Sequence, residues 1–242
     1  MKVRNSRSEN LKAASICIRK AAKTSPSIIA LPEYFSVPGC LSNFDSAKRI
    51  SKATSKITLE FLSEISKEIP TIYLLGGTIL EEDAGKYYNT NTLWKNGELL
   101  GKYKKINPIT GELQAGVAKG TQPVVIETHF AKIGLLVCAD MFDPVLVKQI
   151  TSLGAHILSL PVAAMGSHPA VEGHPLTEKV ASENGVFVLK VGNVCSSTIG
   201  GRSAIIAPWG ILAEVSDSLT DKIITAELDM NRLFEYRKTL NK

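Results

Sequence analysis

Apolar and polar positions repeat along the chain with two periods, one typical of amphipathic helices and the other of buried strands. Helical spacing predicts a first helix behind Ser8 as N-cap and a second helix that follows Asp45 and ends near Pro70. Short apolar runs bounded by turn residues predict the strands. In chain order, the remaining helices are predicted at 144–153, 174–184 and 230–240, and strands at 27–31, 71–80, 90–94, 98–106, 123–128, 132–138, 156–161, 186–192, 202–207, 211–216 and 223–229.

The order of these elements predicts an α/β protein with mixed sheets. Asn96-Gly97 between two apolar runs is a strong hairpin signal, and Pro208-Trp209-Gly210 separates a second strand pair. Elsewhere helices alternate with strands, as they do around parallel strands. No repeat, linker or low-complexity stretch divides the sequence, so residues 1–242 are interpreted as a single domain.

Composition and charge exclude several classes of protein. The net charge of +5 comes from scattered basic residues, whereas a nucleic-acid-binding protein concentrates them, so we expect no nucleic-acid partner. No apolar run reaches the roughly 18–20 residues that span a bilayer, and the basic start lacks the apolar core of a secretory signal. These features predict a cytoplasmic protein without a membrane partner.

The cysteine pattern gives no evidence of a metal centre or a disulfide framework. The four cysteines contain no Cys-x-x-Cys pair, and the four histidines show no metal-ligand spacing with them. We therefore expect no metal and no cofactor, and each cysteine is assessed in its own context. The cysteines are Cys17, Cys40, Cys138 and Cys195, and the histidines are His129, His156, His168 and His174.

Cys138 is the best placed of the four cysteines to act as a nucleophile. It ends an apolar strand and precedes a helix, and this is where α/β sheets expose reactive groups. Backbone N–H groups at such a position can bind a developing oxyanion. The alternative is a small buried apolar residue, the usual role of a free cysteine, and Cys17 and Cys195 fit that role better.

Glu33 and Lys105 are candidates for a buried acid–base pair. Glu33 ends a buried strand, and burial of a carboxylate raises its affinity for a proton, as a general base requires. Strand alternation places Lys105 on the face of Tyr103 and Asn107, and Lys104 on the other face. A buried lysine needs a partner, which Glu33 can supply. The alternatives are an exposed loop glutamate and an ordinary basic edge strand.

Three blocks together resemble the nitrilase superfamily, the carbon–nitrogen hydrolases. They are Leu-Pro-Glu-Tyr-Phe at 31–35, Tyr-Lys-Lys-Ile-Asn at 103–107 and Gly-Leu-Leu-Val-Cys-Ala-Asp-Met-Phe-Asp-Pro at 134–144. The Glu-Lys-Cys triad of that family falls on Glu33, Lys105 and Cys138. The resemblance continues in order through 154–161, 181–184 and 201–210, and so covers nearly the whole chain.

The resemblance implies a fold and further site residues. The expected fold is a four-layer α-β-β-α sandwich with mixed sheets that extends across a dimer. Family members often carry a second glutamate after the lysine block, and Glu112 is the candidate here, with a solvated turn residue as the alternative. The backbone N–H of Ala139 is the expected oxyanion donor.

The chain departs from the family pattern at three places. Asn107 stands where the family usually has histidine, and Ala139 stands where an aromatic residue is common. The strand that usually precedes the first helix is apparently missing, which predicts an unpaired sheet edge. A misassigned start, a divergent short form and pairing with another chain each account for this.

The resemblance implies a cysteine-dependent amidohydrolase that cleaves a non-peptide carbon–nitrogen bond through a thioester. An amide is favoured over a nitrile, because Asp140 replaces the glutamate that nitrilases of the family usually carry after Cys-Trp, and carbamoyl substrates remain an alternative. Two alternatives remain, an acyltransferase that uses the same thioester and a catalytically silent binding or assembly protein. The loops at 36–44, 108–119 and 163–173 carry no pattern that identifies the substrate.

The apolar residues after Pro144 and in the closing helix predict a homodimer or higher homo-oligomer. They exceed what one face of each helix needs for packing within one subunit. Light scattering at micromolar concentration should therefore give at least twice the 26.1 kDa of the chain, and a stable monomer would contradict this. The residues are Val145, Leu146, Val147, Ile150, Leu233, Phe234 and Tyr236.

Overall fold

A computed structural model of the chain describes residues 1–39, 44–163, 174–194, 202–215 and 220–240. Cys40, Cys195 and His168 lie outside the described residues, as do parts of the loops at 36–44 and 163–173. The described helices are α1 (Arg7–Ala22), α2 (Ala47–Glu68), α3 (Thr110–Gln114), α4 (Pro144–Ser152), α5 (Pro175–Asn184) and α6 (Met230–Leu240).

The strands form two mixed sheets, as the sequence predicts. The first sheet has the order β1-β2-β3-β4, with β1 parallel to β2 and the other pairs antiparallel. The second has the order β10-β9-β8-β7-β6-β5, with β6, β7 and β8 parallel. The strands are β1 (Ile28–Ala30), β2 (Tyr73–Asp83), β3 (Lys86–Lys95), β4 (Glu98–Lys104), β5 (Val124–Glu127), β6 (Lys132–Leu135), β7 (Ile157–Val162), β8 (Phe187–Gly192), β9 (Ala204–Ala207) and β10 (Gly210–Glu214).

Three apolar clusters define four layers. The central cluster joins residues of both sheets, such as Leu75 and Leu93 from the first and Leu135 from the second. A second cluster packs α4 and α5 on the outer face of the second sheet, and a third packs α1 and α2 on the first. The α-β-β-α order is therefore confirmed, and it follows from strands that are apolar on both faces.

A bulge in β2 fixes the chain segment that leads to Glu33. The register of β2 against β3 shifts between Leu75 and Thr78. Gly77 has φ +61°, and a Cβ built there would lie 2.2 Å from the carbonyl oxygen of Pro32. Glycine is required because the backbone of the 31–32 segment approaches so closely.

The structure differs from the sequence prediction at the start of α1 and at residues 223–229. The N-cap of α1 is Ser6 and not Ser8, because the hydroxyl oxygen of Ser6 accepts the N–H of Glu9 at 3.3 Å while its own proton bonds the Glu9 carboxylate. Residues 223–229, predicted as a strand, make no ladder with any described strand. The prediction there was wrong about pairing, because no described strand lies beside this segment.

The apolar residues of α4 and α6 predicted an oligomer, but both helices bury part of their apolar surface within the subunit. Leu146, Val147 and Ile150 belong to the cluster under α4, so they do not form a free face. Val145 and Phe234 are exposed, with 65% and 42% of their surface accessible. The prediction of a homodimer therefore rests on fewer residues than the sequence suggested. In the part of the chain that the structure describes, no helix is long and apolar enough to cross a bilayer.

Candidate active site

The ends of strands from both sheets meet at one point between the sheets. Glu33 follows β1 and Lys105 follows β4 in the first sheet, while Cys138 follows β6 in the second. The Nζ atom of Lys105 lies 3.0 Å from Oε1 of Glu33. All three side chains line one cavity of about 50 Å³, together with Glu112. The structure thus brings the residues predicted from the sequence together.

Glu112 belongs to this cluster and is not a solvated turn residue. It lies in α3, a short helix within the segment interpreted as a loop, and only 4% of its surface is accessible. Its Oε2 accepts from Nζ of Lys105 at 2.6 Å and from the N–H of Ile109 at 2.9 Å. Lys105 therefore lies between two buried carboxylates.

Strand alternation along β4 separates the two adjacent lysines. Lys105 is 1% exposed and pairs with carboxylates in the interior. Lys104 reaches the opposite face, pairs with the exposed Asp83 and lies over the ring of Tyr88. The interpretation of Tyr103 and Lys105 as inward-facing residues is confirmed.

Cys138 occupies a strained turn. It has φ +45° although it is not glycine, and it begins a short 3₁₀ helix, Cys138–Phe142. Non-glycine residues in this region cost of order 1–3 kcal/mol and cluster at functional sites. Ala139, the second residue of this helix, has its N–H in the first turn, where N–H groups have no partner within the helix.

Asp140 holds this turn in place. Its buried carboxylate accepts from the N–H of Val137 at 2.9 Å, from the N–H of Asn107 at 2.9 Å and from the hydroxyl of Tyr103 at 2.8 Å. Burial raises its pKa, and these donors oppose the shift. The N–H of Asn107, one of the departures from the family pattern, thus bonds to Asp140 and joins the lysine block to the cysteine turn.

Polar residues that the sequence analysis missed complete the site. Nδ2 of Asn89 on β3 donates to Oε1 of Glu33 at 2.7 Å and to Oε1 of Glu112 at 2.8 Å. The hydroxyl of Tyr34 donates to Glu112 at 2.7 Å, and the N–H of Ala163 donates to Oε2 of Glu33 at 2.7 Å. The sequence Asn-Thr-Asn-Thr at 89–92 could have indicated this part of the site. These four polar residues directly precede the apolar Leu93 and Trp94 in one strand, and polar side chains that are buried in a strand require hydrogen-bond partners.

The charges around Lys105 set the protonation of its neighbours. Burial raises the pKa of Glu33, and Glu112 raises it further against the opposing charge of Lys105. Burial also pushes the pKa of Glu112 upward, but the bonds from Lys105 and Tyr34 outweigh it and the net shift is downward. Burial and the charge of Glu33 raise the pKa of the Cys138 thiol. The resting site therefore holds a neutral thiol beside a carboxylate of raised proton affinity.

A four-layer α-β-β-α fold with a buried cluster of cysteine, lysine and glutamate side chains is typical of one class of hydrolases. The sequence profile of the carbon–nitrogen hydrolase family matches residues 1–238. The chain belongs to this family, within the nitrilase superfamily.

Curated relatives and solved structures agree with this assignment. Omega-amidase NIT2 of Mus musculus is 31% identical over 256 aligned residues, which cover 99% of this chain and 90% of the mouse protein. Nit3 of Saccharomyces cerevisiae, a member of branch 10 of the nitrilase superfamily, superimposes with a TM-score of 0.83 at 27% identity, covering 99% of this chain and 90% of the yeast chain. An amidase from Nesterenkonia sp. AN1 shares the fold, with a TM-score of 0.80 at 23% identity over 100% of this chain and 95% of its own.

No group of His, Cys, Asp or Glu side chains able to hold a metal ion occurs among the described residues. The expectation of a protein without cofactor remains a prediction.

Removal of the Lys105 charge should destabilise the protein far more than removal of Lys104. Lys105→Ala leaves two buried carboxylates without their ammonium partner, which typically costs about 3–5 kcal/mol. Lys104→Ala removes a partly exposed pair, worth about 0–1 kcal/mol. Urea unfolding of both variants gives the two free energies. Equal losses for the two variants would contradict the role of Lys105 as the buried counter-ion.

Proposed function

We propose that the protein is a cysteine-dependent amidohydrolase that cleaves a non-peptide carbon–nitrogen bond of a small amide or carbamoyl compound through a thioester. The observation that carries the proposal is the buried contact of Lys105 with Glu33 and Glu112 beside Cys138. Membership of the carbon–nitrogen hydrolases and relatives named omega-amidase support it. Residues 1–242 act as one domain in this proposal, and a cytoplasmic location remains a prediction.

Glu33 is the proposed general base. Its carboxylate has a raised proton affinity and lines the same cavity as the thiol of Cys138. Transfer of the thiol proton to Glu33 produces a thiolate, and the ammonium of Lys105 in the same cavity compensates the new negative charge. The N–H of Ala163 bonds Glu33 and also faces the Cys138 sulfur, so it is oriented to stabilise the thiolate.

Attack of the thiolate on the amide carbon creates an oxyanion. Lys105 and the N–H of Ala139 are the proposed donors to this oxygen, since the first supplies a fixed charge and the second an N–H without a partner inside its helix. Cys138, with its strained backbone, and Ala139 are adjacent in the same 3₁₀ turn, so one turn supplies both the sulfur and the N–H donor. Both donors are held before the reaction, so little reorganisation is needed in the transition state.

The second half of the reaction releases the acyl group. When the tetrahedral intermediate collapses, the carbon–nitrogen bond breaks and the proton held by Glu33 goes to the leaving nitrogen. Ammonia or an amine departs, and the thioester remains on Cys138. Glu33 then takes a proton from water, the hydroxide attacks the thioester, and the carboxylic acid leaves with regeneration of the thiol.

Glu112 is the proposed positioning residue for Lys105. It takes the second contact of the ammonium and is itself held by Tyr34 and Asn89. Its negative charge also contributes to the raised pKa of Glu33. Glu112 thus acts on the lysine and on the base.

Cys138→Ser should reduce amide hydrolysis by orders of magnitude with little change in folding. The hydroxyl is far harder to deprotonate than the thiol, while serine occupies a similar volume. Labelling with an iodoacetamide-type electrophile and mass spectrometry should place the adduct on Cys138, and Cys17→Ser serves as the matched control. The mechanism is wrong if Cys138→Ser keeps a confirmed amidase activity.

Product analysis separates the hydrolase from its alternatives. A hydrolase yields the carboxylic acid from an amide both with and without an added amine such as hydroxylamine. Formation of the transfer product alone would support the acyltransferase, and absence of any acyl adduct on Cys138 would support the silent protein.

The acidic limb of the pH profile of kcat/KM should reflect the ionisation of the Glu33 carboxylate. Only the deprotonated form acts as base, so kcat/KM should fall as the pH drops through a pKa above that of an exposed glutamate. Glu112→Gln removes a negative charge that raises this pKa, so the limb should move to lower pH while the rate also decreases. Glu60→Gln, on the exposed side of α2, is the control and should leave the profile unchanged. A limb that does not move in Glu112→Gln would argue against Glu33 as the titrating base.

A further inference from the structure

Lys190 on β8 is a fully buried lysine outside the cavity that contains Glu33, Lys105 and Cys138. Burying an ammonium is costly unless neighbouring groups compensate its charge. Ionisable groups whose pKa is strongly shifted also cluster at functional sites. Lys190 is therefore a candidate for a role in the reaction.

Strand alternation places the Lys190 side chain on the outer face of the second sheet. The preceding residue, Leu189, belongs to the central cluster between the sheets, and Val188 belongs to the outer cluster under α4 and α5. The strand neighbours of Lys190 are Leu160 on β7 and Ala204 on β9, and both belong to the outer cluster. The lysine side chain therefore extends into the layer in which α5 packs.

The nucleophile turn also contributes to this outer cluster. Met141, from the 3₁₀ helix that begins with Cys138, packs there, and α5 contacts the same 3₁₀ helix. Just beyond the end of β8, Nδ2 of Asn193 donates to the carbonyl oxygen of Glu33. The end of the strand that carries Lys190 thus lies beside both the nucleophile and the base.

His174, the N-cap of α5, holds the ammonium of Lys190. Nζ of Lys190 lies 3.3 Å from Nδ1 of His174, and Nε2 of His174 lies 3.3 Å from Oε2 of Glu214. Burial and the charge of Lys190 lower the pKa of His174, and Glu214 opposes this shift. The imidazole is therefore neutral at neutral pH, and it accepts a proton of the ammonium at Nδ1.

Cys138 is the active-site residue whose charge affects Lys190. Burial lowers the pKa of Lys190 to about 8, a negative charge on Cys138 opposes this shift, and the charge of Arg202 adds to it. The pKa of Glu33 is shifted instead by its contact partners in the cavity. The ammonium of Lys190 therefore favours negative charge on the sulfur over negative charge on the carboxylate.

We propose that Lys190 is a positioning residue for the nucleophile: its ammonium, held by His174, stabilises negative charge on the Cys138 sulfur. The S–H bond of Cys138 breaks, the proton binds the carboxylate of Glu33, and the negative charge moves to the sulfur. Lys190 keeps all its protons in this step. This role rests on the proposed function of Cys138 and adds a second cation to Lys105.

The rate of alkylation of Cys138 tests this role, because iodoacetamide reacts with the thiolate and not with the thiol. Mass spectrometry assigns the measured rate to Cys138. Lys190→Met keeps the length of the side chain and removes the charge, and an apolar residue in place of a buried charge is often tolerated. At about pH 6 the variant should be alkylated about tenfold more slowly than the unchanged protein, as expected when the thiol pKa rises by about one unit.

The ratio of the two alkylation rates should depend on pH. Lys190 loses its proton as the pH rises through about 8, so at about pH 10 the unchanged protein and Lys190→Met both lack the charge and should react at equal rates. A merely structural role of Lys190 would give the same ratio at both pH values. Lys190→Arg remains charged, so it should match the unchanged protein at about pH 6 and react about tenfold faster at about pH 10.

Lys179→Met is the matched control, because Lys179 lies on the exposed side of α5 and pairs with Glu183. It should leave the alkylation rate unchanged at both pH values. If Lys190→Met does not fold, the comparison of Lys190→Arg with the unchanged protein decides, since only the arginine is charged at about pH 10.

Two results would overturn the role of Lys190. One is equal alkylation of Lys190→Met and the unchanged protein at about pH 6, and the other is a ratio that stays constant up to about pH 10. Both leave the proposed function intact, because Cys138 is still alkylated. Absence of any alkylation at Cys138 in the unchanged protein would overturn the proposed function together with the role of Lys190.

Discussion

One buried ammonium between two buried carboxylates is the constraint on which the site depends. Lys105 is removed from water and remains charged only because Glu33 and Glu112 both contact it. Burial raises the pKa of Glu33, the charge of Lys105 opposes this shift, and the charge of Glu112 adds to it. The same buried cluster thus keeps the lysine charged while burial leaves the base with a raised proton affinity. Nδ2 of Asn89 on β3 donates to both carboxylates and so bridges them.

The nucleophile, Cys138, depends on hydrogen bonds that hold its backbone in a strained conformation. Cys138 adopts a positive φ, and Tyr34, next to Glu33, does so as well, at +50°. Hydrogen bonds from the surroundings hold both turns. Asp140 binds three donors around the cysteine turn, and the N–H of Tyr34 donates to the hydroxyl of Thr78 at 3.0 Å. Strain of this kind persists only where neighbouring contacts fix it.

The edge of the first sheet connects the site with the rest of the molecule. β1 is only three residues long, and it carries Glu33 just beyond its end. The contact of Gly77 with Pro32 and the bond from Asn193 to the carbonyl of Glu33 hold that segment from one side. Ile28–Pro32 also line an apolar cavity of about 430 Å³, which is separate from the cavity that holds Cys138. The base therefore lies just beyond the end of a three-residue edge strand of the first sheet.

The sequence by itself determined the features that depend on local periodicity. Alternation placed Lys105 inside and Lys104 outside, and the ends of apolar runs located Glu33 and Cys138. The order of helices and hairpins predicted mixed sheets. The resemblance named Glu112 as a candidate, and the tertiary structure decided between the site and a solvated turn. The tertiary structure alone decided that Asn89 bonds both carboxylates and that 223–229 has no partner strand among the described residues. These outcomes depend on contacts between residues far apart in the chain, as Glu33 and Asn89 are, and local periodicity contains no information about which distant groups will meet.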